Sequence, residues 1–184
     1  MKRYTSAQYM TTIFGIMTLI GFGWPARAAL ATTVWSSVAA GCVLDSASAP
    51  LANVDATFGT VSFKGTRIGH IHLTCPVNVP VQIPAGYVAM GTNYYDPDFM
   101  GTKCQVKAIL LRTNLNELER GNTIVQIDSN TDTLATEPGT GRSLAYAQIP
   151  ENIDSTTSYY WVELDLFRSS TSCNPTSVGA YLLR

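Results

Sequence analysis

A run of aromatic and acidic residues near the C-terminus offers the clearest candidate binding surface in the sequence. Residues 159–168 alternate in polarity, as a half-buried strand does. One side of this segment carries Trp161, Glu163 and Asp165, with the aromatic rings of Tyr159 and Phe167 at its ends. Rings of this kind stack on the C–H face of a sugar, and carboxylates accept hydrogen bonds from its hydroxyls. The pattern predicts either a glycan-binding face or an amphipathic strand with a polar outer side, on which Trp161 covers a loop or packs under a second sheet.

The same two carboxylates suggest a second chemistry, that of a glycosidase acid and base. Glu163 and Asp165 would lie about 7 Å apart as neighbours on one side of a strand. The two carboxyls of a glycosidase flank the scissile bond, however, and adjacent positions on one strand do so poorly. The sequence also contains no Gly-x-Ser-x-Gly, Walker, dinucleotide-binding or His-Glu-x-x-His motif. We therefore expect a protein that is not an enzyme of a familiar class and needs no cofactor.

A pair of histidines is the leading candidate for metal binding. His70 and His72 flank Ile71, so both imidazoles project from one side of a strand, as in strand-borne metal sites. They are the only two histidines in the chain, and an Asp or Glu from a neighbouring strand would have to supply a third ligand. The alternative is a pair of solvated surface histidines.

The segment 128–132 resembles the start of a calcium loop. Its alternating oxygen donors are Asp128, Asn130 and Asp132. Thr133 and Gly139 stand where an EF-hand needs Gly and Glu, so an EF-hand is excluded. A surface calcium site on a hairpin and an ordinary Asx-rich turn both remain compatible with the pattern.

The composition favours an all-β protein. Of 184 residues, 46% are apolar and 14% are charged, which excludes a disordered chain. The net charge of −1 gives no positive field for nucleic acid. Ser and Thr together number 36, and Thr favours strands.

The first 28 residues have the pattern of a secretory signal peptide. Lys2 and Arg3 precede an apolar stretch over 13–22, and Ala26-Arg27-Ala28 is a small-x-small cleavage site. No later apolar stretch approaches membrane-spanning length, so we expect no membrane span after cleavage. The expected product is secreted or periplasmic, with residues 29–184 as a single domain.

Four cysteines follow the cleavage site, and an even number in an exported chain predicts two disulfides. Three pairings are open. We favour Cys42 with Cys75, because the segment around Cys42 needs tethering. We favour Cys104 with Cys173, because the Ser/Thr/Asn/Pro loop at Cys173 can fold back on the strand that begins at Cys104.

Period-two alternation broken by Gly, Pro, Asn and Asp clusters predicts about eight strands and a jelly-roll-like β-sandwich. The predicted strands are Thr57–Lys64, Gly69–Thr74, Tyr87–Tyr95, Cys104–Arg112, Thr123–Asp128, Arg142–Gln148, Tyr159–Arg168 and Ser177–Leu183. The core-facing residues should include Ile71, Leu73 and Cys75 on one strand, and Tyr160, Val162, Leu164 and Leu166 on another. Asp96-Pro97-Asp98 is predicted to form a turn.

Several short motifs share one arrangement along the mature chain. They are Gly41-Cys42, Leu73-Thr74-Cys75-Pro76-Val77, Cys104-Gln105-Val106, Tyr159-Tyr160-Trp161-Val162 and the final loop at Cys173. The arrangement resembles a diffuse group of short exported proteins of Gram-negative bacteria with no assigned activity, and implies a secreted β-rich domain. Over residues 42–75, Cys42, Phe58-Gly59 and Cys75 also resemble chaperone–usher pilins and spore-coat-U-type domains. The second cysteine pair, Cys104 and Cys173, departs from the pilin pattern.

Three functions follow as hypotheses. The first is a non-enzymatic structural or binding protein of the bacterial envelope or exterior, whose partner is a glycan or an envelope protein. The second is a carbohydrate-binding module that uses the Trp161 face. The third is a pilus or coat subunit that exchanges strands. Residues 29–40 lack clean alternation, and we expect them to be flexible or to dock through Trp35 alone.

Overall fold

A computed structural model describes residues 32–79, 82–86, 88–116, 121–131 and 142–184, with side chains left out at 142–146. The described residues, from Thr32 onward, form one compact unit. The predicted signal peptide lies outside the described residues. Within those residues, no helix has the length and apolar character needed to cross a membrane.

The described residues form eleven strands and one short 3₁₀ helix over Ala39–Gly41. The strands are β1 (Thr33–Val38), β2 (Val43–Leu44), β3 (Ala52–Asp55), β4 (Thr60–Phe63), β5 (Gly69–Val77), β6 (Ala89–Tyr95), β7 (Cys104–Asn114), β8 (Asn122–Asp128), β9 (Arg142–Gln148), β10 (Ser158–Arg168) and β11 (Thr176–Leu183). The prediction of an all-β sandwich is confirmed.

The strands form two antiparallel sheets. A five-stranded sheet has the order β2-β5-β10-β7-β8. A six-stranded sheet has the order β3-β4-β11-β6-β9, and β1 pairs with β11. In the five-stranded sheet, β10 lies at the centre and pairs along its whole length with β7. The backbone of β10 is therefore hydrogen-bonded to a neighbouring strand on both sides.

The eight predicted strands correspond to β4–β11, with shifts of a few residues at their ends. The three strands before them were not predicted. Two of these, β2 and β3, contain only two and four residues, too few to show a period.

The expectation for residues 29–40 is wrong from Thr33 onward. β1 runs over Thr33–Val38 and pairs with β11, from Thr33 opposite Leu183 to Val38 opposite Gly179. The chain reaches this pairing through main-chain hydrogen bonds, which need no alternation of apolar side chains. Gly179 allows the close approach, since a Cβ there would lie 2.3 Å from the carbonyl oxygen of Ser37.

The core lies between the two sheets and is built from alternate residues, as predicted. On β5, Ile71, Leu73 and Cys75 are buried while the residues between them are exposed. The four predicted core residues of β10, Tyr160, Val162, Leu164 and Leu166, are buried as well. The opposite side of each strand therefore faces away from the core.

Both predicted disulfides are present. Cys42 pairs with Cys75, which ties the chain before β2 to β5. Cys104 pairs with Cys173, which ties the start of β7 to the loop before β11. In the chain-entropy approximation, each crosslink adds roughly 4 kcal/mol to the free energy of unfolding.

Arg168 is a buried cation at the end of β10. Its guanidinium donates hydrogen bonds to the carbonyl oxygens of Gly65 (2.8 Å), Thr171 (2.8 Å) and Ser170 (3.1 Å). The side chain is 3% exposed. Arg168 therefore joins the turn after β4 to the loop that carries Cys173.

Candidate functional site

The side of the five-stranded sheet that points away from the core carries the residues singled out from the sequence, and we call it the outer face. β10 contributes its odd-numbered residues from Tyr159 to Phe167. β5 contributes His70 and His72, and register places His72 directly across from Asp165. The outer face of β10 thus divides into an aromatic end (Tyr159, Trp161 and Glu163) and an imidazole end (Asp165 and Phe167, with His70 and His72).

At the aromatic end, Tyr159 is the exposed ring. This residue is 65% exposed, whereas Trp161 is half-buried. The indole Nε1 of Trp161 donates a hydrogen bond to Oε1 of Glu163 at 3.2 Å. This bond fixes one aromatic plane beside one carboxylate, while Tyr159 supplies a second plane that water contacts freely.

The half-burial of Trp161 has a specific cause in the chain segment before β8. A Cβ at Gly121 would lie 2.2 Å from Cη2 of Trp161, so the outer edge of the indole lies against the backbone of Gly121. Leu111, directly across from Trp161 on β7, is buried. Trp161 therefore packs against a loop, as the amphipathic-strand interpretation expects, and it also donates a hydrogen bond to Glu163.

At the imidazole end, two histidines meet one carboxylate. Oδ1 of Asp165 lies 3.3 Å from Nδ1 of His70 and 3.5 Å from Nδ1 of His72. The two imidazole rings are nearly parallel, with an interplanar angle of 7° and centroids 5.7 Å apart. The ring of Phe167 packs against His70 at 4.7 Å. Asp165, predicted as a sugar ligand, is thus placed where the metal hypothesis required a third donor.

The cationic side chain directly across from Asp165 forms its ion pair with a different carboxylate. Lys107 lies directly across from Asp165 on β7, but its Nζ pairs with Oδ2 of Asp128 at 3.7 Å. Nε2 of Gln105 donates to the same carboxylate. Within the described residues, the polar partners of the Asp165 carboxylate are therefore the two imidazoles.

The calcium hypothesis has less support from these contacts. Asp128 accepts hydrogen bonds from Gln105 and from the main-chain N–H of Asn130, an Asx-turn contact. These two donors, together with the ammonium of Lys107, occupy the carboxylate that would begin the calcium site. Asp132 lies outside the described residues.

One polar cluster appears in the structure where the sequence indicated only a turn. Asp96 follows β6, is 2% exposed, and accepts a hydrogen bond from the hydroxyl of Ser129. Burial raises the pKa of Asp96 to about 6, and nearby Asp98 acts in the same direction. Cys104 and Cys173 lie close by, but their disulfide leaves no thiolate for a metal. An Asp-Pro-Asp sequence gives no sign that its first carboxyl will be buried.

The chain shows distant similarity to solved structures. No protein-family profile and no curated protein matches the chain. Among solved structures, the chain is similar to the carbohydrate-binding module TmCBM61 in complex with β-1,4-galactotriose, at 11% identity and a TM-score of 0.37, over 68% of this chain and 70% of that one. It is also similar to the TNF Eiger from S. frugiperda, at 16% identity and a TM-score of 0.27, over 60% of this chain and 63% of that one.

Proposed function

We propose that this protein is an exported, non-enzymatic binding protein whose ligand surface is the aromatic end of the outer face. The main support for this proposal is the exposure of Tyr159. This residue is 65% exposed, and it lies on a strand that is paired on both sides within a disulfide-bonded sandwich. Two disulfides are typical of proteins that fold in an oxidising compartment, which supports export. A rigid aromatic ring gives a ligand an apolar platform at little cost in conformational entropy.

The ligand class that fits this surface is a neutral glycan. The carboxylate of Glu163 is held by the indole of Trp161, and a carboxylate has about four acceptor positions, so it still accepts from sugar hydroxyls. Same-face neighbours on a strand are about 7 Å apart, so Tyr159 and Glu163, two such steps apart, are separated by about 14 Å and can contact more than one sugar ring. Glu163 and Asp165 both carry negative charge, which disfavours an anionic ligand.

A glycan array tests this function with a matched pair of variants. The mature chain, residues 29–184, should bind one class of neutral glycan. Tyr159→Ala should abolish the signal, and Glu163→Gln should weaken it. Tyr95→Ala is the control, because Tyr95 is a 39% exposed tyrosine on β6 of the other sheet. Failure of every glycan to bind, or equal binding by the Tyr159 and Tyr95 variants, would contradict the proposal.

A second function, assembly by strand exchange, is favoured by how β1 is held. None of its six residues is buried, and Val38 is 53% exposed. Main-chain pairing with β11 holds β1, together with the reciprocal hydrogen bonds between Thr32 and Arg184 and the partly buried Val34 and Trp35, which pack against the core. The β1 of another copy would make the same hydrogen bonds and place the same two side chains, so exchange replaces each contact with an equivalent one.

Size-exclusion chromatography with light scattering tests strand exchange. The mature chain at high concentration should form oligomers, and a variant that lacks residues 29–40 should not. The truncated variant should bind a peptide of residues 29–41 but not its scrambled counterpart. This function would be excluded if the mature chain stayed monomeric and the truncated variant did not bind the peptide.

A further inference from the structure

We propose that His70, His72 and Asp165 form a binding site for a divalent transition-metal ion of the zinc type. The site lies at the imidazole end of the outer face, and its existence does not depend on glycan binding at the aromatic end. The donor atoms of the three residues lie within 4.8 Å of one another.

The distances between these donor atoms match the requirements of zinc. In a tetrahedral site with bonds of about 2.0–2.1 Å, neighbouring donor atoms are about 3.3–3.4 Å apart. Oδ1 of Asp165 lies 3.3 Å from Nδ1 of His70 and 3.5 Å from Nδ1 of His72. The two distances from Asp165 to the histidines therefore already match those of a tetrahedral site. Rotation of the two exposed imidazole rings would bring their nitrogens to the same separation from each other.

The backbone holds the three side chains in this arrangement. His70 and His72 alternate with the buried Ile71 on β5, which fixes both imidazoles on the outer face. The main-chain N–H of His72 also donates to Oγ of Ser48 at 2.8 Å. Asp165 lies on the central strand and pairs in register with His72. The backbone is therefore ordered before the metal binds, so binding costs little conformational entropy.

The donor set selects the class of metal. Two imidazole nitrogens and one carboxylate oxygen suit zinc and its neighbours, whereas calcium and magnesium require oxygen donors throughout. The histidine side chains are 52% and 53% exposed, so the fourth coordination position faces solvent. Water or a donor group of a bound partner can occupy it.

Charge on the surrounding sheet favours a cation. The Asp165 side chain is 19% exposed, and Lys107 on the adjoining strand is engaged by Asp128. Phe167 shields one side of His70 from solvent. Reduced solvent contact strengthens the attraction between the Asp165 carboxylate and a divalent ion.

Isothermal titration of the tag-free mature chain with zinc chloride tests the site. One zinc ion should bind per chain, and Co²⁺ in its place should show visible absorption typical of tetrahedral coordination. His70→Ala, His72→Ala and Asp165→Asn should each weaken zinc binding by at least about tenfold. Asp55→Asn is the control, since Asp55 is a carboxylate on β3 of the six-stranded sheet, and the affinity of this variant for zinc should equal that of the native chain.

Circular dichroism of each variant checks that the sandwich has folded, and His70→Gln or His72→Gln replaces any alanine variant that has not. Absence of zinc binding to the native chain would overturn the proposal and leave only the polar contacts between Asp165 and the two imidazoles. Binding that survives all three ligand substitutions would place the metal elsewhere and overturn it equally. Neither result bears on the glycan array, so the two proposals fail separately.

Discussion

The two sides of β10 differ in what constrains them. Val162, Leu164 and Leu166 are each 0% exposed and pack between the sheets. Between them, Glu163 and Asp165 lie on the outer face and contact an indole and two imidazoles. Residues on the inner side are held by packing, so their substitution changes stability. Residues on the outer side are less buried than those on the inner side, so substitution of the polar ones should change binding more than stability.

The largest effect is expected from the centre of the inner side. Leu164→Ala removes a fully buried side chain and should lower the free energy of unfolding by about 2–5 kcal/mol, because it loses apolar burial and leaves a cavity. Urea denaturation measures the change. Glu163→Gln, one residue away on the outer side, should change the free energy of unfolding by less than about 0.5 kcal/mol. Equal losses in the two variants would remove the distinction between the sides.

Arg168 sharpens the comparison because it is a charged residue at an inner position. Arg168→Met keeps much of the side-chain volume but removes the hydrogen bonds to the carbonyl oxygens of Gly65, Ser170 and Thr171. We expect a loss of about 3 kcal/mol, since hydrogen bonds to a charged group are stronger than neutral ones. Denaturant unfolding of the native and variant proteins gives the value, and a loss below about 1 kcal/mol would show that these bonds add little.

Asp96 provides a pH-dependent contrast with the exposed carboxylates. Its pKa of about 6 exceeds the ordinary 3.8 because of burial, so the unfolded chain releases this proton first as the pH rises. The contribution of Asp96 to stability is complete below about pH 4 and falls through the window from there to about pH 6. Asp96→Asn should abolish that fall, because the amide stays neutral. Thermal unfolding of both proteins from pH 4 to 7 measures the difference, and parallel curves would contradict it.

The smallest effect on stability is expected from the outer side itself. Tyr159→Ala should change the free energy of unfolding by less than about 0.5 kcal/mol, because the ring is 65% exposed. A loss above about 1.5 kcal/mol, measured by urea denaturation, would mean that Tyr159 belongs to the packing of the sandwich.

The inner side of β10 was predictable from the sequence, and the outer side only in part. Burial imposes a strict period of two on Val162, Leu164 and Leu166, and a period is visible in one strand by itself. The meeting of Asp165 with His72 depends on the register between β5 and β10, which no local pattern encodes. The same limit concealed the contact of Trp161 with Gly121, which lies 40 residues earlier in the chain.

The proposed function rests on the claim that a ligand binds at the aromatic end of the outer face. A ¹H–¹⁵N NMR titration of residues 29–184 with neutral oligosaccharides reports on this surface, because the indole Nε1–H of Trp161 gives its own signal. We predict shifts at that signal and at the amides of Tyr159 and Glu163, with β6 and β11 unaffected. Shifts confined to the six-stranded sheet, or none with any oligosaccharide, would contradict the claim.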